Sequence, residues 1–223
     1  MSLAQRIGGL LTLLAAGAAG AGNARLLTSD AAEPILRPVL GLQRSALPLG
    51  LGVALDTALL ADLALAPNLG LRWAHVRGGH RFVAGARYTY FAGTRVYSDA
   101  VASQEPLVTR FEPRFSGPSA YGLYGYQLGR VLLQGEARYT AFDEASLGLT
   151  AAAVVQLGRG WGLVVEAGAR LRVAEGFKGA AGFRYQGRHL GASLGVAYVD
   201  LRDPLVPGRS LPILPAFDLA WSF

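Results

Sequence analysis

The 223-residue chain has no cysteine, a single lysine (Lys178) and three histidines. Without cysteine there is no disulfide framework and no thiolate metal or redox site. Charge is also scarce. Charged residues make up 16% of the chain, against about 25% in average soluble domains. Mean hydropathy is +0.31, which argues against disorder. Yet apart from the extreme N-terminus no apolar run is long enough for a membrane helix. The balance is basic, +6 with a pI near 10, and arginine supplies 20 of the 21 basic residues. Such a balance suggests nucleic acid. Here the basic residues form no cluster and alternate with apolar ones, so no nucleic-acid partner is expected.

Residues 1–24 read MSLAQRIGGLLTLLAAGAAGAGNA. Arg6 ends a short positive region, Ile7 to Ala19 are apolar, and small residues follow. This pattern predicts a secretory signal peptide. Ala24, with Gly22 at −3, is the expected cleavage site; Ala21 with Ala19 is the alternative. A membrane anchor is the competing reading, but no stop-transfer charges follow the run. The absence of cysteine excludes a lipid-anchored lipoprotein. Residues 25–48, with Pro34, Pro38 and Pro48, are expected to be an irregular periplasmic lead-in.

From residue 49 onward, alternation dominates. In 161–173, Trp161, Leu163, Val165, Ala167, Ala169, Leu171 and Val173 share one face, while Glu166, Gly168, Arg170 and Arg172 share the other. A helix would mix these sets, because its faces repeat every 3.6 residues. Strands are expected at 49–65, 69–77, 80–91, 120–128, 131–142, 146–157, 161–173, 177–186, 189–199 and 213–223. Of these, 120–128 alternates least. Glycine, 30 of 223 residues, sits in the short connections Gly78-Gly79, Gly129-Arg130, Gly158–Gly160 and Gly187-Arg188, as tight hairpins require. The long connections, 92–119 and 200–212, fall on the opposite side. Tyr88, Tyr90, Tyr139, Phe177 and Tyr198 lie at one end of the apolar face, and Phe82, Trp161, Tyr185, Trp221 and Phe223 at the other. Two aromatic girdles with short turns on one side are the pattern of a transmembrane barrel. The fold expected is all-β: an antiparallel up-and-down transmembrane β-barrel over 49–223, of ten strands, or eight if the first hairpin lies outside it.

The chain ends Phe217-Asp218-Leu219-Ala220-Trp221-Ser222-Phe223. The alternate residues Phe217, Leu219, Trp221 and the terminal Phe223 resemble the C-terminal assembly signal of Gram-negative outer-membrane β-barrel proteins. Asp218 stands where that pattern usually has glycine. The resemblance implies location in the bacterial outer membrane, outer-membrane lipid around the barrel and reading by the barrel-assembly machinery.

The polar strand faces should line the bore. They carry Arg72, Arg81, Arg87, Arg138, Arg170, Arg172, Lys178 and Arg184, opposed by Asp56, Glu136, Glu166 and Asp218; Gly50 and Gly52 count among the small lumen positions. Small barrels are filled by their side chains, so a charge network closing the bore is one reading. A narrow anion-leaning porin-like channel is the other.

Enzyme chemistry needs a base beside a nucleophile. His189 and Ser193 share a face but lie about 13 Å apart along a strand. His80 flanks a turn and His75 falls on the apolar face. No cofactor and no enzymatic activity are therefore expected, with a lipid-modifying enzyme as the third-ranked alternative. The 28-residue connection 92–119 interleaves Arg95, Arg110 and Arg114 with Tyr97, Phe111 and Phe115, a composition suited to recognition. The expected role is structural or interactive. One form of it is the outer-membrane component of an envelope-spanning machine for motility, secretion or transport, with envelope proteins as partners.

Overall fold

The computed structural model describes residues 24–92, 116–142, 145–171, 176–199 and 213–223. The expected signal peptide, apart from Ala24, lies outside these residues. So do Arg172 and all six candidate contact residues of the 92–119 connection.

Alternating sequence gives strands with two unlike faces, and these strands close on themselves. They are β1 (Val39–Gly41), β2 (Ser45–Gly50), β3 (Val53–Thr57), β4 (Asn68–Arg77), β5 (His80–Thr89), β6 (Gly117–Leu128), β7 (Val131–Ala141), β8 (Ala145–Gly158), β9 (Trp161–Leu171), β10 (Gly176–Gln186), β11 (Leu190–Val199) and β12 (Ile213–Ser222). Every neighbour pair is antiparallel, and β12 meets β1 to complete the barrel. One short helix, α1 (Leu59–Leu63), joins β3 to β4.

The strand count is twelve, not the ten or eight expected. Both extra strands come from the beginning of the chain. The expected first strand, 49–65, is broken at Gly50-Leu51-Gly52, where φ is +101°, +51° and +79°. Gly50 and Gly52 are therefore turn residues and not lumen positions. A Cβ on Gly52 would collide with the Ala74 carbonyl oxygen, so glycine is needed there for space as well as for its positive φ. A two-residue turn preserves parity, so the alternation runs through the turn without betraying it. β1 and most of β2 lie within 25–48, the expected lead-in.

The odd-numbered face of β9 points outward and its even-numbered face inward. Leu163, Val165 and Trp161 are exposed, whereas Val164 and Glu166 are buried. The other long strands repeat this division. Large apolar and aromatic side chains clothe the outer wall, among them Leu71, Trp73, Phe82, Tyr124, Leu133, Phe183 and Leu194. The weak alternation of β6 has a cause. Its inward Tyr121 and Leu123 are as apolar as its outward Tyr124 and Tyr126, because Ala32 packs inside against the first two.

Residues 24–35 lie inside the barrel. Leu26, Leu27 and Ala31 form one core with Leu132, Val154 and Val164 of the inner wall. Ile35 joins Val39, Ala46, Ala54 and Ala220 in another. This inner segment ends where β1 begins, at the edge of the barrel that carries the short turns. Burying Leu26 and Leu27 contributes about 1.5–3 kcal/mol each, as an upper bound.

Candidate functional site

The filled bore concentrates the buried charge of the molecule. Two acids of the inner segment, Asp30 and Glu33, gather most of it. Asp30 is held by Arg25 at 3.0 Å, Arg44 at 3.1 Å and Arg138 at 2.8 Å. Glu33 takes both forks of Arg184, at 3.0 and 2.9 Å, with Gln186 at 2.9 Å and Arg81 at 3.6 Å. A bidentate guanidinium–carboxylate pair is a strong, directional contact. Burial pushes both carboxyls up. The surrounding arginines overcome it and hold Asp30 well below its ordinary value, with Arg25, Arg44, Arg138 and Arg72 acting together. Arg184 and Arg81 do the same for Glu33, helped by hydrogen bonds from Arg184 and Gln186.

The wall carboxylates divide by partner. Glu136 accepts from Arg138 at 2.6 Å and also from the Asp30 N–H at 3.1 Å. Asp56 pairs with Arg87 at 3.1 Å. Glu166 accepts the Thr28 and Ser29 N–H groups at 2.6 and 3.2 Å and the Ser29 hydroxyl. Asp218 accepts the Arg25 N–H at 2.7 Å, the Gln43 N–H at 3.0 Å and the Leu219 N–H at 2.9 Å. Neither Glu166 nor Asp218 has an ion pair among the described residues. Apart from the Ser29 hydroxyl and the Leu219 N–H, their bonds go to backbone donors of irregular segments, which those segments could not satisfy within themselves.

Further wall groups complete that accounting. Arg72 donates to Ala31 O and Glu33 O at 2.8 and 2.7 Å. Gln134 receives the Ala32 N–H at 3.0 Å and donates to Asp30 O at 2.6 Å. Ser193 donates to Leu26 O at 2.7 Å, and Arg184 to Ala24 O at 2.9 Å. These wall residues run from the short-turn end, at Gln186 and Arg81, to mid-barrel, at Glu136 and Glu166, so the segment spans that half of the bore. One wall feature steadies the far side. The Tyr121 ring covers Gly85, whose Cβ, if present, would meet it at 2.5 Å, and Arg138 lies 4.5 Å above the same ring.

Of the expected lumen network, Arg81, Arg87, Glu136, Arg138, Glu166, Arg184 and Asp218 take part in these contacts. Arg170 is exposed. Lys178 is half-buried without an ion pair among the described residues. Asp30, Glu33 and Arg44 were missed because they fall in residues read as a lead-in. The signal was present: two adjacent leucines and two adjacent alanines around paired acids are costly to leave in water.

The C-terminal residues Phe217, Leu219, Trp221 and Phe223 all lie on the outer wall, exposed by 45–65%. The histidines sit apart from one another. His75 stacks on Trp73 at 5.9 Å, His80 bonds Tyr124 Oη at 2.8 Å, and His189 bonds Ser222 O at 2.9 Å. Among the described residues no group of acids and histidines could hold a metal ion. No described helix is long and apolar enough to cross a membrane, which says nothing about a β-barrel. The outer wall also carries an apolar hollow of about 810 Å³ over β6–β10, floored by Gly122, Gly135, Ala151 and Ala167.

No protein-family model matches the chain, and no curated protein matches it in sequence. Among solved structures, LpxR from Salmonella typhimurium is similar with a TM-score of 0.39 and 10% identity, over 83% of this chain and 88% of that one. Beside this neighbour the expectation that the chain is not an enzyme is corrected and no longer held. At that score the likeness assigns no activity to this chain.

Proposed function

We propose that the chain is an integral outer-membrane barrel, held shut by its own inner segment and working through its surfaces in a structural or interaction role. One observation carries this reading: the two faces of the wall are opposite in kind. Leucine and aromatic side chains stand exposed on the outside, while the buried charges line the inside. An exposed apolar band of that extent is at odds with water and suited to lipid. The filled half-bore supports a closed barrel over the anion-leaning channel.

On this reading residues 1–24 direct export. Phe217, Leu219, Trp221 and Phe223 are displayed to the barrel-assembly machinery, and the 92–119 connection meets envelope partners through Arg95, Tyr97, Arg110, Phe111, Arg114 and Phe115. Membership of a motility, secretion or transport machine is one form of that role.

Three measurements test the proposal. Alkaline extraction of membranes should leave the protein in the outer-membrane fraction; release with peripheral proteins would end the membrane reading. Purified protein in planar bilayers should show no conductance. A conducting wild-type protein would favour the channel. Affinity capture from crosslinked envelopes should return a defined partner, lost when residues 93–115 of the 92–119 connection, which lie outside β6, are replaced by a short glycine turn.

A further inference from the structure

Asp218 is a carboxylate with 2% exposure and no cationic side chain against it among the described residues. Its Oδ2 lies 2.7 Å from the Arg25 backbone nitrogen. Burying an unpaired carboxylate is costly unless a cation is supplied. The expected processing site Ala24–Arg25 would supply one at that atom. We propose that Asp218 is the docking site for the mature amino terminus, and that processing at Ala24 locks the inner segment in the bore. This rests on the export reading above.

The chemistry is hydrolysis by a signal peptidase. One water adds across the Ala24–Arg25 amide, Ala24 leaves as a carboxylate, and Arg25 keeps the nitrogen as an ammonium. A single N–H donor to Asp218 thereby becomes a charged donor with three hydrogens, and charge-assisted bonds are roughly twice as strong as neutral ones. Arg184 loses Ala24 O as an acceptor but keeps both oxygens of Glu33. Asp218 is also the departure from the usual C-terminal pattern, at a position where glycine could bind nothing.

The charged and polar groups around the new ammonium come from several elements. Asp218 comes from β12, Arg184 from β10 and Glu166 from β9. Gln43 follows β1. Asp30 holds the Arg25 side chain at 3.0 Å. Arg44 and Arg138 share Asp30 with the Arg25 guanidinium, and Lys178 on β10 is a further cation on this side. The chain's single lysine makes the experiment clean. A protein starting at Arg25 has two amines, its α-amine and Lys178 Nζ.

Protein purified from outer membranes should begin at Arg25 by intact mass. Reductive methylation with 13C-formaldehyde should then give two resonances, assigned with Lys178→Arg. We expect the folded α-amine to titrate about one pH unit or more above the same group in the urea-unfolded chain, whose ordinary range is about 7.7–8.0. Burial alone moves an amine the other way, so the sign of the gap separates ion pairing from mere enclosure. Asp218→Asn should abolish the gap. A wild-type gap of zero or below overturns the proposal, as does a gap that survives Asp218→Asn. If Asp218→Asn does not fold, the sign in the wild-type protein decides alone. A chain beginning at Gly22 also overturns the proposal but leaves export intact, whereas a chain still carrying residues 1–24 overturns the export reading itself.

Discussion

β4–β12 and β1–β3 are both antiparallel, yet they are held by different means. Neighbours from β4 to β12 pair over nine to eleven residues. β3 pairs with β4 over four, and β1 meets β12 only from Val39 to Gly41. Along the rest of β12, Gln43 takes over with a side-chain bond to Phe217 O. Pro215 falls on the same edge, where no partner strand among the described residues asks for an N–H. The long wall is specified by its own ladders. The short side is held to the inner segment instead, through Ile35 with Val39 and Arg44 on Asp30. A sheet edge so short would be marginal alone. The contrast teaches that the inner segment is part of the barrel's construction, not cargo lodged in it.

Acid should break the contrast most severely. Asp30 and Glu33 have folded values below their unfolded ones. Their contribution is therefore complete above about pH 4, and is lost as pH falls through the folded values. The urea midpoint in detergent should stay flat from neutral pH to about 5 and drop steeply below 4. A decline already under way between pH 7 and 6 would point to other groups.

Arg184→Ala comes next. It leaves Glu33 buried without its bidentate partner, and should cost about 3–5 kcal/mol in equilibrium unfolding. A cost under about 1 kcal/mol would mean the inner segment does not support the wall.

Gly85→Val strikes the long wall first. The new side chain displaces the Tyr121 ring and the Arg138 above it, at about 1–3 kcal/mol. Arg138 also holds Asp30 at 2.8 Å, so the inner segment loses that contact but keeps Arg25 and Arg44 on Asp30 and Arg184 on Glu33, and conductance should remain absent in planar bilayers. Leu51→Gly should do least. Leu51 is 98% exposed at φ +51°, and glycine relieves a left-handed strain of about 1 kcal/mol. A melting temperature unchanged or slightly raised is expected; a clear fall would show that Leu51 makes a stabilising contact.

Legibility in the sequence follows the same division. β7 and β9 were readable residue by residue, because lipid-type and lumen-type side chains alternate strictly there. β6 was faint because apolar residues occupy both its faces. The turn at Gly50–Gly52 was hidden because parity passes through it. Asp30 and Glu33 gave no periodic signal at all, being held by wall residues more than a hundred positions away, such as Arg138 and Arg184.

By itself, then, the sequence determined that this is an antiparallel barrel with an apolar outside, a charged inside and short glycine turns at one end, since those properties repeat every two residues. Only the tertiary structure decided the count of twelve and the filling of the bore. β1–β3 are too short to announce themselves, and the arginines of the wall find their carboxylates on a segment whose place is set by burial and ion pairing across the barrel, not by any local pattern.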